Sequence, residues 1–268
     1  MALKDITLGQ YFPGNTPVHR MDPRAKLLLT VIYIVALFLA KGIVTYATLF
    51  ALLCLGIAFS RIRPKAILRG LKPVFIILIV TAILNIFYTP GDPLATFWIF
   101  TITRQGIRNA IFMIWRIMML ISCTFLLTYT TSPIMLTDGL EQLLNPLKKL
   151  HVPIHELAMM MSIALRFIPT LIEETDKIMS AQRARGADFD TGNLIQKAKA
   201  LVPLLVPLFI SAFRRADELA TAMECRCYHG GEGRTRLTEL HYRPSDLFFV
   251  FLALLLCVGI GVLGRSGL

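Results

Sequence analysis

The chain has 268 residues, of which 55% are hydrophobic, and its mean hydropathy of +0.64 excludes an ordinary soluble domain. The net charge is +11, but the basic residues cluster in links between apolar runs, so nucleic acid is not needed to explain them. The five cysteines include no CxxC pair, which argues against a disulfide framework and against a metal site with four ligands at zinc-like spacing.

Residues 1–26 form a polar lead-in, with charged and turn-forming residues before the first apolar run. They lack the pattern of a cleavable signal peptide. Within the lead-in, Asp22-Pro23 predicts the start of a helix, with aspartate as the N-cap and proline at the first helical position. We expect this segment to lie along the cytoplasmic face of a membrane.

Five apolar runs predict membrane-spanning helices. Most of the runs are long enough, as helices, to cross a hydrocarbon core of about 30 Å. Only Lys41-Gly42 separates the first run from the second, which indicates a tight helical hairpin, and no run has the period-2 alternation of a membrane β-barrel. The runs cover residues 27–40, 43–60, 74–88, 107–129 and 247–263.

Basic residues in the links predict the orientation of the chain. Lys41 stands alone between the first two runs, whereas five cations fill the link between the second and the third. By the positive-inside rule, the N-terminus and the cation-rich link are cytoplasmic, and after five spans the C-terminus is outside. We therefore predict a multi-pass protein of the cell membrane. The five cations are Arg61, Arg63, Lys65, Arg69 and Lys72.

Arg116 is the one charge that is well embedded in an apolar run. A charged side chain within a span is a candidate functional residue because its desolvation is costly. Snorkelling to the outer interface or pairing with a helix carbonyl would explain it at least as well. Both interpretations stay open at this point.

The segment between the fourth and fifth runs predicts three amphipathic cytoplasmic helices, at about residues 132–150, 154–185 and 193–226. The fold class is therefore an all-α membrane protein with about five transmembrane helices and these three amphipathic helices. The predicted domains are residues 1–131 with four spans, 132–243 with the amphipathic helices, and 244–268 with the last span. The second and third amphipathic helices begin apolar and become charged, so we expect both to run from the membrane towards the cytoplasm.

Each of these last two helices ends in a tripeptide centred on arginine. Arginine at a helix tip is a projecting charged fork that fits a carboxylate-lined groove on another protein. Arginine and glycine are also common at helix C-termini for purely structural reasons, because arginine complements the macrodipole and glycine ends the helix. Two such tips favour a membrane subunit that grips a pair of motor subunits. The tripeptides are Ala184-Arg185-Gly186 and Cys225-Arg226-Cys227.

Three stretches resemble the transmembrane T component of energy-coupling factor (ECF) type ABC transporters, and the resemblance covers nearly the whole chain. They are Asp22-Pro23-Arg24-Ala25-Lys26, Leu127-Thr128-Tyr129-Thr130-Thr131, and Leu165-Arg166-Phe167-Ile168-Pro169 with the later Ala181–Asp188. The resemblance implies that the amphipathic helices are coupling helices whose tips dock on two cytoplasmic ABC ATPase subunits. By position, Arg185 and Arg226 would be the docking arginines. The second tip departs from the family pattern, since it is Cys-Arg-Cys and not Ala-Arg-Gly.

The resemblance also implies one or more membrane S components that capture a vitamin or a metal ion. The apolar starts of the two long amphipathic helices are suited to the membrane boundary or to another membrane protein, because methionine surfaces repack around different partners. ATP would bind the ATPases, so this chain is expected to bind no cofactor or metal and to have no catalytic residues. The tentative contacts with the S component are Met159, Met160, Met161, Leu204, Leu205 and Leu208.

Other classes of function fit the sequence less well. A self-contained secondary transporter or channel is the alternative, but paired half-length segments interrupted by glycine or proline do not occur in two repeats. A membrane enzyme is disfavoured because HExxH and GxSxG are absent, and an ATPase is excluded because GxxxxGK[ST] is absent. The block of three cytoplasmic helices argues against an ordinary ABC permease with one short coupling loop.

Overall fold

The computed structural model describes residues 11–90, 92–97, 100–189, 193–230 and 240–265, so the first ten residues of the predicted lead-in lie outside it. The described residues are predominantly helical, with one short antiparallel hairpin of β1 (Pro93–Phe97) and β2 (Phe100–Thr103). Short 3-10 turns at Lys72–Val74 and Asn145–Leu150 follow the fourth and seventh helices. The α-helices are α1 (Pro17–Arg20), α2 (Pro23–Leu39), α3 (Ile43–Ser60), α4 (Pro64–Leu71), α5 (Phe75–Tyr88), α6 (Arg104–Thr130), α7 (Pro133–Leu144), α8 (Ile154–Ala184), α9 (Leu194–Glu224) and α10 (Pro244–Arg265).

In the part of the chain that the structure describes, six helical segments are long and apolar enough to cross a membrane. The predicted all-α membrane fold is confirmed, but the six segments are not the five predicted runs with one added. The predicted first run, in α2, is a helix of only 17 residues, whereas α8 and α9 qualify by length and composition although they are the least apolar of the six. Their cytoplasmic location, like the orientation of the termini, stays a prediction. The six are Ile43–Ser60, Pro64–Tyr88, Arg104–Thr130, Ile154–Ala184, Ile195–Glu224 and Pro244–Leu263.

The chain divides into two compact units. Among the described residues, those within 11–140 and 240–265 form one, which we call the span unit, and residues 141–189 and 193–230 form the other, the tip unit. The core of the span unit lies where α2, α3, α6 and α10 meet. Its buried side chains include Leu37, Leu49, Met119, Cys123 and Ile260. The last helix therefore packs into a core built mainly from the first half of the chain.

A buried polar cluster, which we call the polar latch, joins the start of α2 to the start of α10. Asp22 is the N-cap of α2, as predicted: it accepts from the backbone N–H of Arg24 (2.9 Å), and the Arg24 guanidinium also donates to both of its oxygens (3.1 and 2.8 Å). Asp246, only 2% exposed, accepts from the backbone N–H of Asp22 (3.2 Å). Arg24 also donates to the Leu240 carbonyl (2.7 Å) and lies over the Tyr242 ring.

Lys26 extends the latch to the end of α6. Its ammonium, 6% exposed as a residue, donates to the Thr130 carbonyl (2.9 Å), the Thr131 hydroxyl (3.2 Å) and the His19 carbonyl (3.2 Å). Two of the stretches that carried the resemblance, residues 22–26 and 127–131, are therefore in direct contact. The three acceptors and the two carboxylates nearby, Asp22 and Asp246, offset part of the cost of burying this ammonium.

Arg116 pairs with the end of another helix. Pairing with a helix carbonyl was one of the structural explanations left open for this charge. Its Nε donates to the Tyr46 hydroxyl (2.9 Å), and Nη2 lies 3.4 Å from the carbonyl of Ala40, the residue that caps the C-terminus of α2. The Phe38 and Tyr46 rings lie within 6 Å of the guanidinium carbon. Arg116 therefore satisfies a carbonyl at a helix end, where the macrodipole also favours a cation.

Candidate functional site

The first arginine tripeptide closes α8 with a Schellman motif. Arg185 is the C-cap, and Gly186 follows in the left-handed conformation with φ +87°. The backbone N–H of Ala187 donates to the Gln182 carbonyl (3.0 Å), and that of Gly186 donates to the Arg183 carbonyl (3.0 Å). This is the pair of hydrogen bonds that satisfies the free carbonyls at a helix C-terminus, and glycine is favoured because it lacks a Cβ.

The second tripeptide closes α9 in the same way. Cys227 has φ +55° and takes the place that Gly186 has in the first tip. The backbone N–H of Tyr228 donates to the Met223 carbonyl (3.1 Å), and that of Cys227 donates to the Glu224 carbonyl (2.9 Å). Arg226 therefore stands immediately before the left-handed residue, just as Arg185 does. The departure from Ala-Arg-Gly leaves the local geometry of the arginine unchanged.

Cysteine at a left-handed position is strained, and this gives a prediction. Replacing Cys227 with glycine is expected to strengthen the closing hydrogen bonds of α9 by about 1 kcal/mol, because the Cβ clash disappears. The matched control is Cys225→Gly, two residues earlier in a right-handed conformation (φ −59°), where glycine should weaken the helix end by about 1 kcal/mol. Hydrogen exchange of the Tyr228 amide in the purified protein measures both effects. Equal changes in protection for the two variants would contradict the prediction.

Both docking candidates are accessible. Arg185 and Arg226 are exposed, as are Ala184, Gly186, Cys225 and Cys227. Within the described part of the chain neither arginine forms an ion pair. A guanidinium held at a rigid helix end and free of internal carboxylates keeps all its donors for a partner.

α8 and α9 pack against each other through a hydrogen bond that the prolines of α9 make possible. Pro207 has no N–H, so the Pro203 carbonyl four residues earlier receives no helical hydrogen bond. The side-chain amide of Gln182, near the tip of α8, lies 3.4 Å from this carbonyl. A residue that interrupts the hydrogen bonding within one helix thus provides an acceptor to the other.

A second contact lies further back along α8. Glu174 accepts from the Ser211 hydroxyl and from the Arg215 guanidinium, both at 2.5 Å. This half-buried cluster ties the polar half of α8 to that of α9.

These two contacts show how the helices run relative to each other. The later residue of α8, Gln182, meets the earlier part of α9, while Glu174 meets the later part, so the helices run in opposite directions where they touch. The direction of each helix relative to the membrane stays a prediction. With a rise of about 1.5 Å per residue, Arg185 and Arg226 lie at opposite ends of the pair, on the order of 30 Å apart.

The tentative contacts with an S component differ in their accessibility. Met160, Met161 and Leu205 are exposed, Met159 and Leu208 are half-buried, and Leu204 is only 6% exposed. Leu204 is therefore a packing residue of the tip unit, whereas the others remain candidates. An exposed stripe of α9 begins within this predicted surface and extends beyond it, and sequence reasoning missed its last two members although the spacing i, i+4, i+7, i+11 is visible in the sequence. Its members are Val202, Val206, Phe209 and Phe213.

Metal ligands do not converge in the described residues, where no group of three or more His, Cys, Asp or Glu side chains could hold an ion. Cys225 and Cys227 are both free thiols, and the Nδ1 atom of His229 lies 2.8 Å from the Cys227 carbonyl oxygen. These residues form the end of a helix and its following turn.

The fold and the two tips define a class: a multi-pass α-helical membrane protein that presents two equivalent arginine-tipped helix ends. Comparison with known proteins shows the family to which the chain belongs. The family described as CbiQ, cobalt transport protein, matches residues 14–237. The protein of Clostridium kluyveri named energy-coupling factor transporter transmembrane protein EcfT is 55% identical over 265 residues, 98% of each chain.

Two further relatives carry the same name. The Acidaminococcus fermentans protein is 53% identical over 244 residues, 91% of each chain, and the Bacillus subtilis protein is 50% identical over 246 residues, 91% of this chain and 92% of that one. The chain therefore belongs to the CbiQ family and, within it, to the transmembrane T components of energy-coupling factor transporters. The resemblance seen in the sequence is confirmed.

Proposed function

We propose that this chain transmits motion from two cytoplasmic ABC ATPases to a membrane S component that binds the transported vitamin or metal ion. Arg185 and Arg226 each dock one ATPase, through charge-assisted hydrogen bonds to carboxylates in a groove. The chain itself is a non-catalytic subunit, because its sequence has no Walker motif, and ATP belongs to the partner ATPases.

The single observation that carries the proposal is the equivalence of the two tips. Each arginine occupies the same position of the same C-terminal motif, is exposed, and lacks an internal ion pair within the described residues. One such tip is an ordinary helix end. Two, at opposite ends of one antiparallel pair, suit a partner that has two grooves of the same kind, as a dimer of ATPases does.

The contacts between α8 and α9 provide a way for movement of the docked tips to reach a partner in the membrane. When ATP closes the ATPase dimer, its two grooves move relative to each other and the anchored tips must follow. Glu174, Ser211 and Arg215 lie between the two tips, so they are suited to act as the pivot about which the helices turn. The exposed apolar stripe of α9 and the exposed Met160 and Met161 would then move any S component that rests on them.

Affinity purification tests the proposal directly. The wild-type chain is captured from its native membrane beside Arg185→Ala/Arg226→Ala, and the bound proteins are identified by mass spectrometry. We expect two subunits with Walker motifs and a small hydrophobic protein on the wild type, and loss of the ATPases from the double variant. Arg214→Ala, an exposed arginine within α9 and away from its end, is the matched control and should retain every partner.

The alternative function predicts a different result. A self-contained secondary transporter would emerge without ATPases and would move a solute in liposomes in the absence of ATP. Retention of both ATPases by the double variant would leave the chain a T component but would remove the docking role from Arg185 and Arg226.

A further inference from the structure

A stripe of cations on α4 and the turn that follows it forms no ion pair with any residue that the structure describes. Lys65, Arg69 and Lys72 are spaced i, i+4, i+7, are all exposed, and form no ion pair in the described part of the chain. The sequence contains no Asp or Glu between residues 23 and 91. Local acidic residues therefore cannot neutralise the stripe, which leaves a concentrated positive charge on one side of a short helix.

The rest of α4 is apolar and connects directly to a span. Ile67 and Leu71 are buried against α6, and Gly70 allows a close approach, because a Cβ there would lie 2.5 Å from the Phe125 ring. Leu68 and Phe75, which lie beside the cationic stripe, are 60% and 61% exposed. A helix with cations beside exposed apolar side chains is typical of the membrane interface, where the cations meet headgroups and the apolar residues enter the acyl region.

An apolar groove of about 270 Å³ begins at the same point. Leu71, the last residue of α4, lines it together with Phe75, Leu78 and Ile79 on one side and Ile114 and Met118 of α6 on the other. No polar surface contributes to its lining. The groove therefore starts at the residue before Lys72 and continues along α5 and α6, so an apolar groove adjoins the cationic segment.

We propose that α4 and this groove form a binding site for one anionic phospholipid. Lys65, Arg69 and Lys72 bind the phosphate-bearing headgroup, and an acyl chain lies in the groove between α5 and α6. The charge of the stripe selects an anionic lipid over a zwitterionic one, and the groove holds the chain in a defined place. The site is separate from the arginine tips and does not depend on their docking role.

Native mass spectrometry of the purified, delipidated full chain in detergent tests the site. The chain, alone and with any partners that co-purify, is titrated with phosphatidylglycerol and with phosphatidylcholine of the same acyl chains. We expect the wild type to prefer phosphatidylglycerol at least tenfold. In Lys65→Gln/Arg69→Gln/Lys72→Gln, each lost cation should weaken binding about fivefold, on the order of 100-fold together.

Two further variants distinguish lipid binding at this site from a general attraction of anionic lipid to positive charge. Lys41→Gln/Arg104→Gln/Arg108→Gln removes three exposed cations elsewhere and should change affinity less than twofold. Ala82→Phe fills the groove, which Ala82 also lines, without changing charge, and should weaken both lipids at least tenfold while the protein still elutes as the wild type does. Equal binding of the two lipids by the wild type, equal loss in the two triple variants, or unchanged affinity in a folded Ala82→Phe would each overturn the proposal.

Discussion

Alanine at Arg185 or at Arg226 is expected to weaken the docking of the corresponding ATPase by about 2–5 kcal/mol, or roughly 30-fold or more. Truncating one member of a partly buried charge pair leaves the other without a partner, and that penalty makes the effect large. Each single variant should keep its ATPases partly attached through the remaining tip, because the second docking event is intramolecular. The double variant should lose them completely.

Lysine substitutions separate the charge of arginine from its shape. Arg185→Lys and Arg226→Lys keep the charge but lose the planar fork that can bind a carboxylate through two hydrogen bonds, so they should restore only part of the affinity. The measurement is the dissociation constant between each variant and the ATPase subunits that co-purify with the wild type, with Arg214→Ala as the control. Dissociation constants within twofold of the wild type for both alanine variants would show that the tips are only helix ends.

Asp22→Ala is expected to destabilise the span unit by about 3–5 kcal/mol, the largest stability effect that we predict. The polar latch contains two carboxylates, Asp22 and Asp246, and two cations, Arg24 and Lys26. Removing one carboxylate leaves a buried excess of positive charge, and it also removes the N-cap of α2, which by itself contributes about 1 kcal/mol. Because the latch joins α2 to α10, we expect both helix starts to loosen together.

Thermal unfolding of the purified protein in detergent measures this effect, with hydrogen exchange to locate it. Asp22→Asn keeps a side-chain oxygen for the cap but removes the charge, so it should be intermediate. Asp92→Ala, which changes an exposed aspartate bonded to Gln105, is the matched control and should change the stability by less than about 0.5 kcal/mol. A melting temperature of Asp22→Ala equal to that of the control would show that the latch contributes no stability.

The features that the sequence determined are local ones. The apolar runs, the Asp22-Pro23 helix start and the ends of α8 and α9 were all predicted within a few residues, because hydrophobic periodicity and capping depend on neighbours in the chain. The two arginine tips were found for the same reason. Their identical closing geometry could not be foreseen for Cys-Arg-Cys, since cysteine seldom adopts the left-handed conformation that the Schellman motif requires.

Only the tertiary structure decided which distant residues meet. Lys26 finds two of its three acceptors about a hundred residues away, and Arg24 finds the Leu240 carbonyl more than two hundred away. Charge rises along both α8 and α9, and this pattern did not reveal that the Gln182 and Glu174 contacts make the two helices antiparallel. Composition along one helix carries no information about the direction of its neighbour, because packing depends on the shape and hydrogen bonding of two faces that the chain brings together only on folding.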